Sequence, residues 1–186
     1  MRHSNTSAAA LLVENLSLFA SLAESGSQAP GVLDLACGNG RNGLLLASRG
    51  WRVCFADRDQ EKLTGIASQA AFTESGSELW QVDLELPGTE PLADRQFDAI
   101  VVFNYLHRPL MPALRSALRP GGLLMYETFT EAQREFGRPR NPDFLLKAGE
   151  LRSYFQDWQI LHSEETVLSS PARAVARLIV RRPEAE

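Results

Sequence analysis

Val32-Leu33-Asp34-Leu35-Ala36-Cys37-Gly38-Asn39-Gly40-Arg41-Asn42-Gly43-Leu44-Leu45-Leu46-Ala47 passes from an apolar run through an acid and a glycine cluster into a second apolar run. The order reads as strand, tight turn, helix. Gly38 and Gly40 remove Cβ atoms where the backbone bends and where a ligand can approach the main chain. The free N–H groups that open the helix then make a polar floor for that ligand.

Gly38 to Gly43 is literally G-x-G-x-x-G, and Asp57 follows at about the twenty-residue interval of an acid that holds a ribose in a dinucleotide site. The discriminating residue is Asp34, at the carboxyl end of the strand beside the glycines. A carboxylate there repels a pyrophosphate and favours a ligand carrying a sulfonium and an ammonium group. The charge logic points to S-adenosylmethionine rather than NAD.

Outward from this unit, Gly50 stops the helix, and Trp51 to Asp57 reads as a second buried strand ending in an acid. Strand, helix, strand at this length is a parallel βαβ unit, which brings Asp57 to the same sheet edge as Asp34. Gln60 to Ala71 reads as a helix, Leu79 to Leu84 as a third strand closing around Asp83, and Phe97 to Tyr105 as a fourth. Leu110 to Leu118 reads as a helix, Arg119-Pro120-Gly121-Gly122 as a turn, and Leu123 to Thr128 as a fifth strand. Asp157 to His162 and Ala174 to Val180 close the chain as an antiparallel pair joined by a Ser-Pro turn, a tail foreign to a dinucleotide dehydrogenase. Upstream, Ala8 to Ala23 has the apolar spacing of one amphipathic helix. Met1 to Asn5 reads as untied, and Ser25 to Gly31 as a loop.

Asp34 to Gly40 resembles motif I of the class I S-adenosylmethionine-dependent methyltransferases, D/E-x-G-x-G-x-G, with Ala36 in place of the first glycine. Phe97 to Tyr105 resembles their motif IV, and Leu118 to Leu124 their L-R/K-P-G-G-x-L turn. Asn104 to Leu110 and Tyr126 to Phe129 are similar to segments of small bacterial stand-alone methyltransferases of the tellurite-resistance-like kind. The resemblance implies an α/β fold: a Rossmann-like, seven-stranded, mostly parallel sheet with helices on both faces and a C-terminal antiparallel hairpin. One domain is expected over residues 1–186, with a helix and loop over 1–30 and the core over 31–183. It also implies S-adenosyl-L-methionine as cofactor, held by Asp34, Ala36, Gly38 and Gly40 at the turn. Asp57 and the adjoining Arg58 would lie at the ribose, Asp83 and Leu84 at the adenine amino group, and Asn104 at the end of strand four. Asn104, Tyr105, Leu106 and His107 would then sit beside the transferable methyl. The N/D-P-P-Y/F signature is missing, since Leu106 and His107 follow Tyr105, which disfavours an amide nitrogen or base amine as acceptor.

The acceptor side rests on Phe129 to Phe155, longer than a simple crossover, with a helix expected from about Lys147 to Tyr154. Gly137, Pro139 and Pro142 forbid a continuous helix, so the stretch reads as a lid. Arg134, Arg138 and Arg140, with Arg108, are candidates to bind an anionic substrate; solvated arginines paired with Glu131 and Glu135 are the alternative. His107 is the candidate general base and Tyr105 a candidate wall of the methyl pocket; each has a structural alternative.

The chain of 186 residues carries a formal charge of −4, which gives no average footprint for gripping a phosphate backbone. Two cysteines are too few for a disulfide framework or a zinc cluster, and no metal site is expected. Without a membrane-length apolar run or a secretory pattern, a soluble cytoplasmic protein is expected. The leading expectation is methyl transfer to a small molecule. A tRNA, rRNA or protein acceptor would need Arg134, Arg138, Arg140, Arg173, Arg177, Arg181 and Arg182 to converge. The third alternative is a binding module without transfer, and oligomeric state stays open.

Overall fold

The computed structural model describes residues 7–23 and 31–184. The expectations for Met1 to Asn5 and for most of Ser25 to Gly31 lie outside the described residues. Seven strands form one sheet in the order β3-β2-β1-β4-β5-β7-β6. β1 (Val32–Leu35) lies at its centre, parallel to β2 (Val53–Asp57) on one side and β4 (Phe97–Phe103) on the other. β3 (Glu78–Gln81) adds to β2, and β5 (Leu118–Phe129) to β4, both parallel. β7 (Ala172–Arg181) runs antiparallel between β5 and β6 (Gln159–Ser169).

The central strands are continuous apolar runs because both sheet faces are covered. Alternate residues point to opposite cores: Ile100 and Val102 to one, Ala99, Val101 and Phe103 to the other. On the second face lie α1 (Ala10–Glu14), α2 (Ser17–Ala23), α3 (Arg41–Ala47) and α4 (Gln60–Ala67), through Leu12, Phe19, Leu46 and Leu63. α6 (Met111–Ala117) and α7 (Glu150–Ser153) cover the first face through Leu114 and Leu151; α5 (Ala70–Glu74) follows α4. The expected seven-stranded, mostly parallel α/β architecture with its antiparallel hairpin is the one observed.

Element boundaries depart from the sequence reading for local reasons. The single N-terminal helix is two, because Asn15 Nδ2 donates to Leu11 O (2.9 Å) and the chain breaks at Asn15 and Leu16. Gln60 to Ala71 also divides, where Ser68 Oγ donates to Gly65 O (2.8 Å) and Gln69 becomes extended. β3 stops at Gln81, since the Asp83 carboxylate accepts from Glu85 N–H (3.0 Å) and turns the chain out of the sheet. Arg119 to Gly122 belongs to a strand entry instead of a free turn. Gly121 takes φ +74°, the β4–β5 register shifts, and Gly121 N–H donates to Arg182 O. The lid stretch holds two short 3₁₀ turns, Glu131–Glu135 and Pro142–Phe144, and its helix is one turn long. β6 and β7 extend well past the expected ends, to flank Ser170 and Pro171.

Candidate cofactor and acceptor cleft

β1 pairs with strands on both sides whose crossovers leave in opposite directions, which opens a crevice at its carboxyl end. The glycine turn occupies that edge. Ala36 (φ +53°), Gly38 (φ +57°) and Gly40 (φ +71°) all take left-handed backbone, so the chain reverses within a few residues and enters α3. A Cβ at Gly40 would lie 2.6 Å from Ile66 Cδ1, whereas one at Gly38 would meet nothing, leaving its space to a ligand.

Two carboxylates brace the turn. Asp57 accepts from Gly38 N–H (2.8 Å) and Asp59 N–H (2.9 Å). Asp34 accepts from Gly43 N–H at 2.8 Å, inside the first turn of α3. Gly43 is required there: a Cβ would stand 2.7 Å from Asp34 Oδ2 and 2.4 Å from Phe55 Cε1. Asp34 is 2 % exposed, and its burial pushes the carboxyl up to about 7, against the Gly43 N–H and the Arg41 charge, which pull it down.

A cleft of about 550 Å³ runs along this edge, and a smaller hollow of about 290 Å³ adjoins it through Ala36 and Asn104. Of the expected site residues, the larger space gathers Ala36, Asp57, Arg58, Asp83, Leu84, Asn104 and Tyr105. The smaller gathers Asp34 and Gly38, and Gly40 supports it from behind. Asn104 closes β4 in left-handed conformation (φ +57°), its N–H donating to Glu127 O (2.8 Å).

Gly40, His107, Arg108, Arg134, Arg138 and Arg140 do not line these spaces. His107 is half-buried, and its carbonyl accepts from Leu110 N–H (3.0 Å) to close a 3₁₀ turn. Arg138 and Arg140 are exposed on the lid. Arg108 is engaged internally: it pairs bidentately with Glu150 (2.6 and 3.0 Å) and donates to Asp143 O and Leu145 O. The structure thus corrects the substrate reading of Arg108 to a clamp on the lid.

Glu127, at the end of β5 beside this edge, lines neither space. It is fully buried, with Arg177 Nε at 2.9 Å and Arg173 Nη2 at 3.2 Å, and Arg173 Nη1 lies 3.4 Å from Asn104 Oδ1. Arg173 and Arg177 are therefore committed inward and do not join a basic face. Sequence reasoning missed Thr128, Phe129, Pro139 and Phe144, which line the larger cleft. Their only signal was position, after β5 and within the lid.

The sequence profile described as Tellurite resistance protein TehB matches residues 24–170. The chain belongs to this family. The structure of TehB from Haemophilus influenzae superposes with a TM-score of 0.68 at 18 % identity, covering 89 % of this chain and 61 % of that one. Magnesium protoporphyrin IX methyltransferase from Synechocystis PCC 6803, with bound SAH, superposes with a TM-score of 0.66 at 15 % identity, over 92 % and 82 %. A curated relative, Hemagglutinin 1 of Eikenella corrodens, is 30 % identical over 141 residues, 73 % of this chain and 46 % of that protein. The chain spans less than half the length of the curated relatives it matches.

The fold is that of S-adenosylmethionine-dependent methyltransferases, and S-adenosylmethionine is the cofactor that family implies. The chain's own residues fit it: a buried carboxylate beside a left-handed turn, with a second carboxylate on the next strand end, suits a nucleoside bearing positive charge. Among the described residues no group of His, Cys, Asp or Glu is arranged to hold a metal, and no helix is long and apolar enough to cross a membrane.

Proposed function

We propose that the protein is an S-adenosylmethionine-dependent methyltransferase that moves a methyl group onto a small-molecule acceptor by in-line displacement. The observation that carries this reading is Asp34, a carboxylate buried at the sheet's crevice in a hollow it shares with Arg41, Asn39, Asn42, Asn104 and small or apolar residues. Asp34 would face the cofactor's cationic end, Asp57 its ribose hydroxyls, and Asp83 with the Leu84 backbone its adenine edge, since these residues sit at or just beyond the carboxyl ends of the adjacent strands β1, β2 and β3.

When bound, the cofactor supplies an electrophilic methyl on a good leaving group, so the chain's task is alignment and exclusion of water. An acceptor lone pair forms the new bond to the methyl carbon as the carbon–sulfur bond breaks, and the acceptor sheds any proton it carries. Asn104 and Tyr105, at the end of β4, would position the acceptor. Burial and the charges of Glu85 and Asp83 drive the Tyr105 phenol up, so it serves as a neutral hydrogen-bonding group. His107, off the cleft wall, is not assigned a proton-transfer role.

A lid that roofs the cleft with Pro139 and Phe144 suits a small acceptor better than a polymer, and the inward commitment of Arg173 and Arg177 agrees. Thermal-shift titration with S-adenosylmethionine, S-adenosylhomocysteine and NAD, followed by S-adenosylhomocysteine release in a metabolite extract, tests the reading. Stabilisation by the first two and turnover with metabolites is expected. Stabilisation by NAD alone overturns it, and cofactor binding without turnover in metabolite, RNA or protein extracts reduces the protein to a binding module.

A further inference from the structure

Phe144 is 46 % exposed, yet its backbone is fixed on both sides. The Arg108 guanidinium donates to Asp143 O at 2.9 Å and Leu145 O at 2.8 Å, the carbonyls immediately before and after it. Glu150 neutralises that guanidinium bidentately, and the charge holds the Glu150 carboxyl below its usual range. Asn141 Oδ1 accepts from Asp143 N–H at 3.1 Å, and Leu145 is fully buried behind the turn. Ordering an exposed apolar side chain's backbone opposes its conformational entropy and gains nothing from burial unless something covers the ring.

Phe144 lines the larger cleft, together with Phe129 from the end of β5, Pro139 from the lid and Tyr105 from the end of β4. Three aromatic rings and a proline thus line one cleft. The Tyr105 hydroxyl there is buried, lies under the charge of Glu85 and makes no hydrogen bond of acceptable geometry. A buried polar atom without a partner marks a position where a ligand's polar group is needed. Of the arginines expected to grip an anion, Arg108 is consumed by the clamp and Arg138 and Arg140 do not line the cleft; the cations that do, Arg58 and Lys62, are opposed there by Asp57, Asp83 and Glu85.

We propose that this end of the cleft is a slot for an acceptor with a flat, apolar, aromatic-sized body carrying a hydrogen-bonding group. Phe144 is its wall, Tyr105 Oη its polar anchor, and Arg108 a positioning residue that acts through Phe144. The inference rests on the reading of the cleft as a methyl-transfer site, and it names the acceptor class that site takes.

The test titrates 2-naphthol into the full chain saturated with S-adenosylhomocysteine, following naphthol fluorescence. Binding that depends on S-adenosylhomocysteine is expected, and Phe144→Ala should weaken it by roughly tenfold, the loss that follows from removing half a phenylalanine's apolar contact. Tyr105→Phe should abolish the preference for 2-naphthol over naphthalene. Arg108→Lys should weaken 2-naphthol binding in the parent chain but add nothing in the Phe144→Ala background, a coupling that general loss of stability would not produce. If S-adenosylhomocysteine itself fails to bind, the underlying methyltransferase reading falls. If it binds and 2-naphthol does not, or tellurite binds that complex where 2-naphthol does not, or Phe144→Ala leaves naphthol affinity unchanged, the aromatic slot is wrong and the underlying reading stands.

Discussion

Asp34→Asn should make the empty protein more stable and the cofactor site worse. The Asp34 carboxyl titrates at about 7 in the folded chain, against 3.8 for an ordinary aspartate. Because the folded value is the higher one, folding takes up a proton between those two values, and stability falls as pH rises through that window. The penalty is absent below about pH 4 and complete above about pH 7, where some three pKa units amount to about 4 kcal/mol. Asparagine keeps an oxygen for Gly43 N–H but brings a buried amide nitrogen, so about half of that, near 2 kcal/mol or roughly 4–8 °C in Tm, is expected at pH 8. Thermal melts of both chains from pH 5 to 8.5 measure the difference, which should shrink as pH falls. With S-adenosylmethionine present the difference should narrow, since the variant lacks the charge that faces the ligand's cationic end and loses about tenfold in affinity, or about 1.4 kcal/mol of ligand stabilisation at saturation. A variant less stable than the parent at pH 8, or a difference that does not change with pH, refutes the argument.

Gly43→Ala drives a methyl into Phe55 and the Asp34 carboxylate and should cost about 2–3 kcal/mol, read as a drop in the urea midpoint with an unchanged slope. Asp57→Ala should weaken S-adenosylhomocysteine in calorimetry by more than tenfold while the domain stays folded, with a smaller loss of about 1–2 kcal/mol because Gly38 N–H and Asp59 N–H lose their acceptor. Arg177→Met leaves the fully buried Glu127 with Arg173 alone and should lower stability by about 3–5 kcal/mol at pH 7; adding Glu127→Gln should recover much of it in chemical denaturation.

The parallel core was legible because its signal is local and repeated. Val32 to Leu35 and Phe97 to Phe103 are apolar runs that end at a turn, and any chain covering both sheet faces must write them that way. The glycine turn was legible for a similar reason, since left-handed backbone at Gly38 and Gly40 restricts residue choice directly. What failed were assignments that depend on distant partners. Arg108 and Glu150 are 42 positions apart, and Arg177 and Glu127 are 50 apart, so nothing near either arginine shows that its charge is already matched. The lid's aromatic contribution was hidden likewise: Phe144 looks like an ordinary exposed residue until the clamp around it is seen.

These matched pairs have a consequence for the field inside the cleft. Arg108, Arg173 and Arg177 are each answered by a carboxylate away from the larger opening, whereas Asp57, Asp83 and Glu85 line that opening and Asp34 lines its neighbour. Arg58 and Lys62 offset two of the three carboxylates of the larger space, and Arg41 lies beside Asp34 in the smaller one. The larger space therefore keeps a net negative lining, which favours a cation. In the proposed reaction the ligand's sulfonium exists only before transfer: S-adenosylhomocysteine keeps its ammonium but is neutral at sulfur, so part of the attraction that helps seat the methyl donor is withdrawn from the product. Electrostatics of this kind hold the reactant more tightly than the product at the same contacts, and product release follows from the chemistry itself without a moving part.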